Sequence, residues 1–143
     1  MRTVYWVWSM VVLAMVVIQI GFAGYGAFFV AEKLDEEGSS IDDRAFEDGF
    51  GIHIGFGYLI WLAVMVLLVI GVVAGVGRWR LGKHGVLALL LTLQIFLAWG
   101  GSDEPVVGAF HPLNAFLILG LTISIVWDEW QRRKPVVAPA AAT

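Results

Sequence analysis

Four long apolar stretches without a charged side chain dominate the pattern of hydrophobic and polar positions. They cover residues 4–31, 49–77, 85–102 and 105–127. A helix needs about 20 consecutive apolar residues to cross the hydrocarbon core of a bilayer. The first, second and fourth stretches exceed this length, and the third is near the lower limit. The pattern therefore predicts four membrane spans.

Helices are expected for all four stretches. In lipid every backbone polar group must be bonded internally, which leaves only helices and closed barrels, and the alternation typical of barrel strands is missing here. Residues 1–134 are therefore predicted to form one all-α unit, an integral membrane four-helix bundle. Residues 135–143 are predicted to be a disordered tail because their sequence is of low complexity. Stretches one and two, and stretches three and four, are candidates for two loosely related hairpins.

The charged residues between the stretches predict the orientation of the chain. Two of its nine Lys and Arg residues, Lys33 and Arg44, fall together with most acidic residues on one side of a four-span chain. The other seven fall on the side of the termini. Because basic residues are enriched on the cytoplasmic side of membranes, both termini are predicted to be cytoplasmic. A multi-pass protein of the bacterial plasma (inner) membrane is expected.

Composition excludes several classes of protein. The 143-residue chain is 59% hydrophobic and 15% charged, which is too apolar for an ordinary soluble domain. It has no cysteine, so disulfides, iron–sulfur clusters and covalently attached c-type heme are excluded. The basic residues lie in short clusters beside apolar stretches, so no nucleic-acid surface is expected. The expected partners are the lipid bilayer and a homo- or hetero-oligomeric membrane complex.

Two histidines within the apolar stretches are the residues best suited to carry chemistry. His53 lies five residues after Asp48, and His111 lies seven residues after Glu104. These spacings correspond to about 7.5 and 10.5 Å of helix, so both imidazoles reach similar depths. An ionisable residue inside a span indicates function by default. We predict that the two histidines face each other and are the axial ligands of a heme iron.

The residues around the histidines suit a flat ligand. Gly57, Gly108 and Ala115 are small and lie about one helical turn from a histidine, so they are predicted to line the pocket. Asn114 is predicted to orient the His111 imidazole or to bond a neighbouring helix. Arg44 is the preferred partner for a heme propionate.

Other polar residues have simpler interpretations. His84 follows a lysine at the edge of a stretch and is predicted to be a solvated connector residue. Gln19 and Gln94 are predicted to form interhelical hydrogen bonds, with a quinone or substrate pocket as the alternative. If the fourth helix begins near Pro105, Pro112 is predicted to kink it and to free the carbonyl of Gly108. The alternative is that Pro112 marks where the regular helix starts.

The stretches Gly-Ile-His-Ile-Gly-Phe-Gly-Tyr-Leu-Ile and Phe-His-Pro-Leu-Asn-Ala resemble one four-helix half of the heme A synthase family. The chain also resembles short four-span bacterial membrane proteins with a late His-Pro element. The first resemblance implies that His53 and His111 bind heme b. The synthases have a catalytic glutamate where this chain has Phe50, and many have an outer-loop cysteine pair that is missing here. These departures argue against methyl-group oxidation and leave heme binding intact.

The sequence therefore predicts a cytochrome b-like membrane protein, for electron transfer or as a heme-bearing subunit of a larger complex. Two filled axial positions leave no site for oxygen, so an enzyme is not favoured. Two alternatives stay open. One is a cofactor-free accessory subunit of a respiratory, photosynthetic or transport complex, and the other is a chlorophyll-type pigment in place of heme.

Overall fold

The computed structural model describes residues 1–35 and 43–134, which contain five α-helices. The helices are α1 (Arg2–Asp35), α2 (Asp43–Val73), α3 (Arg78–Asp103), α4 (Pro105–Gly108) and α5 (Phe110–Arg133). No strand occurs in these two ranges, and the prediction of an all-α fold is confirmed. The predicted disorder of residues 135–143 lies outside the described residues.

Four helical segments are long and apolar enough to cross a membrane, which indicates a multi-pass membrane protein. They are α1, α2, α3, and α4 together with α5. Helix α3 is longer than its apolar stretch because it begins at Arg78 and has 26 residues. Its length of about 39 Å exceeds the roughly 30 Å of a hydrocarbon core.

The four long helices form a ring in which α1 packs against α2, α2 against α3, α3 against α5, and α5 against α1. No Cα atom of α2 lies within 8 Å of a Cα atom of α5, and the same is true of α1 and α3. The helices that carry His53 and His111 are therefore diagonally opposed. Side chains from these two helices meet across the centre of the bundle.

The bundle has one densely packed end. We call the end with the start of α1, the α2–α3 turn and the end of α5 the terminal end, and the opposite end the histidine end. The buried apolar side chains lie between the histidines and the terminal end: Val12, Val16, Ile60, Ala63, Val64, Leu67, Leu87, Leu91, Ile118 and Ile125. Around His53 and His111, positions such as Gly57 and Ala115 are only half-buried. The histidine end is therefore the more open part of the bundle.

The fourth span is interrupted where its proline predicts. Helix α4 ends at Gly108, and α5 begins at Phe110, with Ala109 between them. The ring of Pro112 removes a hydrogen-bond donor and clashes with the carbonyl four residues earlier, which belongs to Gly108. The break lies where the kink was predicted, and it places His111 in the first turn of α5.

The α2–α3 turn requires glycine at two positions. Gly75 has φ +60° and Gly77 has φ +92°, a region that side chains with a Cβ rarely adopt. Helix α2 therefore ends at Val73, four residues before the end of its apolar stretch.

Ion pairs join α3 to α5 at the terminal end. Arg80 contacts Glu129 at 2.6 Å, and Lys83 contacts Asp128 at 2.6 Å. The Lys83 ammonium also donates to the Ser124 hydroxyl at 2.8 Å. These pairs allow α3 to extend beyond its apolar stretch, because each charged side chain has an opposite charge beside it.

His84 is buried, and its predicted role as a solvated connector residue is wrong. Its side chain is 0% exposed. The Tyr5 hydroxyl lies 3.1 Å from its Nε2, and its Nδ1 lies 2.5 Å from the Arg80 carbonyl. Tyr5 and His84 therefore connect α1 to α3 across the other diagonal of the ring. The neighbouring Lys83 suggested exposure, but it is paired with Asp128 and does not mark an exposed segment.

Candidate functional site

The structure brings His53 and His111 together, as the sequence predicts. The centroids of the two imidazole rings are 6.2 Å apart, and the ring planes are inclined at 61°. One ring comes from α2 and the other from the first turn of α5, and both are half-buried. The two side chains therefore meet across the diagonal at the more open end of the bundle.

Each imidazole is held through its Nδ1 atom. The Nδ1 of His53 lies 3.3 Å from the Gln19 carbonyl oxygen, and the Nδ1 of His111 lies 3.1 Å from the Gln94 carbonyl oxygen. A carbonyl oxygen only accepts hydrogen bonds, so each Nδ1 carries the proton and each Nε2 keeps its lone pair. Metal-binding histidines are oriented in this way in proteins.

Two glutamines complete this arrangement with reciprocal hydrogen bonds. The side-chain amide of Gln19 donates to the His53 carbonyl at 2.8 Å. That of Gln94 donates to the His111 carbonyl at 3.0 Å. Each glutamine thus binds one histidine twice, once through its side chain and once through its own carbonyl. The predicted interhelical hydrogen bonds are confirmed, within the pairs α1–α2 and α3–α5.

The hairpin of α1 and α2 and the hairpin of α3 and α5 have equivalent residues at constant sequence offsets. Gln94 follows Gln19 by 75 residues, and His111 follows His53 by 58 residues. The same offsets connect buried positions of the core: Val12 with Leu87, Val16 with Leu91, Ile60 with Ile118, and Leu67 with Ile125. The chain is therefore built from two similar helical hairpins, each of which supplies one imidazole.

Gly57, one turn after His53, leaves room for the Gln19 side chain. A Cβ atom on Gly57 would lie 3.1 Å from the side-chain nitrogen of Gln19. Gly57 therefore allows the amide to reach the His53 carbonyl. Ala115 is the corresponding residue of the second hairpin and is half-buried. The predicted role of Gly57 and Ala115 in lining a heme pocket stays a prediction.

Asn114 bonds the neighbouring helix, which was one of its two predicted roles. It is 5% exposed, and its amide donates to the Leu90 carbonyl at 2.9 Å and to the Gln94 side-chain oxygen at 2.6 Å. Asn114 therefore bonds the Gln94 side chain, which in turn donates to the His111 carbonyl. Its counterpart in the first hairpin, by the offset of 58, is Phe56. This explains why the side-chain oxygen of Gln19 is buried without a partner among the described residues.

Gly108 lies in the contact between α3 and α4, because a Cβ atom on it would lie 3.2 Å from the Cα atom of Gly101. Its predicted place in a heme pocket stays a prediction. Arg44 is exposed in the first turn of α2, nine residues before His53, or about 13.5 Å along the helix. Its predicted contact with a propionate stays a prediction.

An aromatic side chain lies beside His53, and a second one stacks on the first. Phe50 lies edge-on to the His53 imidazole, with centroids 6.2 Å apart. Phe46 stacks on Phe50 at 5.0 Å. A spacing of three to four residues places the three rings on one face of α2. This spacing in the sequence indicates that they can contact each other.

The donor set fits a metal that brings most of its own ligands. Within residues 1–35 and 43–134, no three His, Asp or Glu side chains gather into a metal-binding group. His53 and His111 alone provide two ligands, whereas a structural zinc ion takes four from protein. Two protein ligands suit the iron of a macrocycle, whose remaining positions are occupied by the macrocycle itself.

The rings are close enough to share one metal. Each imidazole would approach the metal to about 2.0 Å through its Nε2 atom, and the ring centroids of His53 and His111 are 6.2 Å apart.

No family model, curated protein or solved structure matches this chain. The resemblance to one half of the heme A synthases therefore stays a prediction that rests on the two histidine stretches.

Proposed function

We propose that this chain is a cytochrome b-like membrane protein that binds one heme b between His53 and His111. The observation that carries the proposal is the histidine pair itself. Its imidazoles come from diagonally opposed helices, their centroids are 6.2 Å apart, and a backbone carbonyl holds each Nδ1. This arrangement supports two axial ligands with free Nε2 atoms.

The histidines and the glutamines have different roles in holding such a group. His53 and His111 bind the iron, and Gln19 and Gln94 fix the position and tautomer of each imidazole. A bound heme supplies a centre that accepts and releases one electron. Because both axial positions are occupied by protein, electron transfer or a structural use is favoured over oxygen chemistry.

The proposal includes an orientation and a location. The termini are cytoplasmic, the histidine end faces outward, and the protein resides in a bacterial plasma membrane. The basic residues of the terminal end support this orientation. Arg44, near the histidine end, pairs with a heme propionate. The protein works within a homo- or hetero-oligomeric membrane complex, which supplies or receives the electron.

The test is an absorption spectrum of the purified protein in detergent, oxidised and after reduction with dithionite. We expect a sharp α-band on reduction that disappears in His53→Ala and in His111→Ala. The third histidine, His84, provides the matched control because it lies outside the pair, and His84→Gln should keep the band. A colourless protein purified from heme-replete cells would contradict the proposal. A red absorption band that reduction does not change would indicate a chlorophyll-type pigment instead.

A further inference from the structure

A shallow apolar groove runs between α1 and α5 at the terminal end, far from the histidine pair. Its volume is about 310 Å³. On α1 it is lined by Trp6, Met10 and Leu13, which lie on one helix face, and on α5 mainly by Trp127 and Trp130. From the first to the last α1 residue it is about 10 Å long, a shape that suits an extended hydrocarbon chain.

Two cations lie over the tryptophans of this groove. The Arg133 guanidinium is 4.4 Å from the centroid of the Trp6 ring. The Lys134 ammonium is 4.6 Å from the Trp130 ring and 5.9 Å from the Trp127 ring. The groove therefore has an apolar body and a positively charged end.

The nearby acidic groups leave this positive charge largely uncompensated. Asp128 and Glu129 are each engaged at 2.6 Å by a cation of α3, and Glu129 lies 3.9 Å from Arg133. Within the described part of the chain, Arg2 and Arg132 add two further positive charges that form no ion pair. The end of the groove therefore has a surplus of cations.

We propose that the α1–α5 groove binds one anionic phospholipid. Its acyl chain occupies the apolar groove, and its phosphate lies against Arg133 and Lys134. Basic residues beside tryptophans at the end of a membrane span are suited to anionic headgroups. The proposal rests on the membrane location of the chain and is independent of heme binding at the other end.

The tryptophans of the groove provide the readout. The protein is placed in nanodiscs of phosphatidylcholine that contain a small fraction of phosphatidylglycerol with brominated acyl chains, and tryptophan fluorescence is measured. In parallel samples phosphatidylcholine carries the bromine at the same mole fraction. We expect stronger quenching by brominated phosphatidylglycerol. In the double variant Arg133→Gln, Lys134→Gln the apparent affinity for it falls on the order of tenfold.

Two controls separate a bound lipid from general attraction to a charged surface. Arg78→Gln removes an exposed cation at the same end of the bundle and should keep the excess quenching. The triple variant Trp6→Phe, Trp127→Phe, Trp130→Phe should remove it, because these three indoles line the groove. Equal quenching of the unmodified protein by both lipids would refute the proposal. An excess that survives the double cation variant, or that Arg78→Gln abolishes equally, would also refute it.

Discussion

At the scale of single residues, the partner of each imidazole Nδ1 atom is a backbone carbonyl and not another side chain. The carbonyls of Gln19 and Gln94 fix the protonated nitrogen of each imidazole. The sequence indicates both histidines and both glutamines, because polar residues in apolar stretches need partners. It does not indicate which glutamine meets which histidine, since this depends on the register between neighbouring helices.

The two glutamines differ in a way that can be measured. The Gln94 side chain donates to the His111 carbonyl and accepts from Asn114, whereas among the described residues the Gln19 side chain has only its bond to the His53 carbonyl. We expect Gln94→Leu to lower the free energy of unfolding by about 1–3 kcal/mol, because partners are left unpaired. The effect of Gln19→Leu should be smaller. Both variants should retain less heme per chain.

This prediction is checked by thermal unfolding in detergent and by the ratio of heme to protein after purification. Gln131→Leu is the matched control because Gln131 is exposed near the end of α5, and it should change neither quantity. If Gln94→Leu behaves like Gln131→Leu, the glutamine does not position the histidine.

At the scale of helices, the apolar stretches predict that four spans exist but not where each one ends. Helix α3 extends outward because Arg80 and Lys83 are paired with acidic residues of α5. Such pairing across helices depends on their arrangement and cannot be read from one stretch. The break in the fourth span could be predicted, because proline acts on its own helix.

The α1–α2 contact provides a test at this scale. A Cβ atom on Gly26 would lie 2.9 Å from the Gly49 carbonyl oxygen and 2.7 Å from the Phe50 ring. Gly24, on the same helix, has no neighbour within 4 Å of its Cβ position. We expect Gly26→Ala to lower the free energy of unfolding by about 1–3 kcal/mol, because the two helices must move apart.

Gly24→Ala is the control and should leave the stability unchanged or raise it by up to about 1 kcal/mol, because alanine favours a helix more than glycine does. Thermal unfolding followed by circular dichroism in the same detergent compares the two variants. Equal effects would mean that α1 and α2 are not in close contact at Gly26.

At the scale of the whole molecule, the short connections place successive helices side by side, so α2 and α5 become diagonal partners. For this reason the meeting of His53 and His111 could be predicted from their similar depths. The difference between a packed terminal end and an open histidine end could not, because apolar residues are abundant in all four stretches. The buried pair of Tyr5 and His84 also depends on this arrangement, since it connects the other diagonal.

The proposed binding of one heme iron by both His53 and His111 can be tested directly. The measurement is the absorption spectrum of the reduced protein before and after addition of carbon monoxide, which binds only where the iron has an open axial position. We predict a sharp α-band that carbon monoxide leaves unchanged, and a shifted spectrum in any His111→Ala protein that keeps its heme. A colourless protein, or a spectrum of the unmodified protein that shifts with carbon monoxide, would contradict the claim.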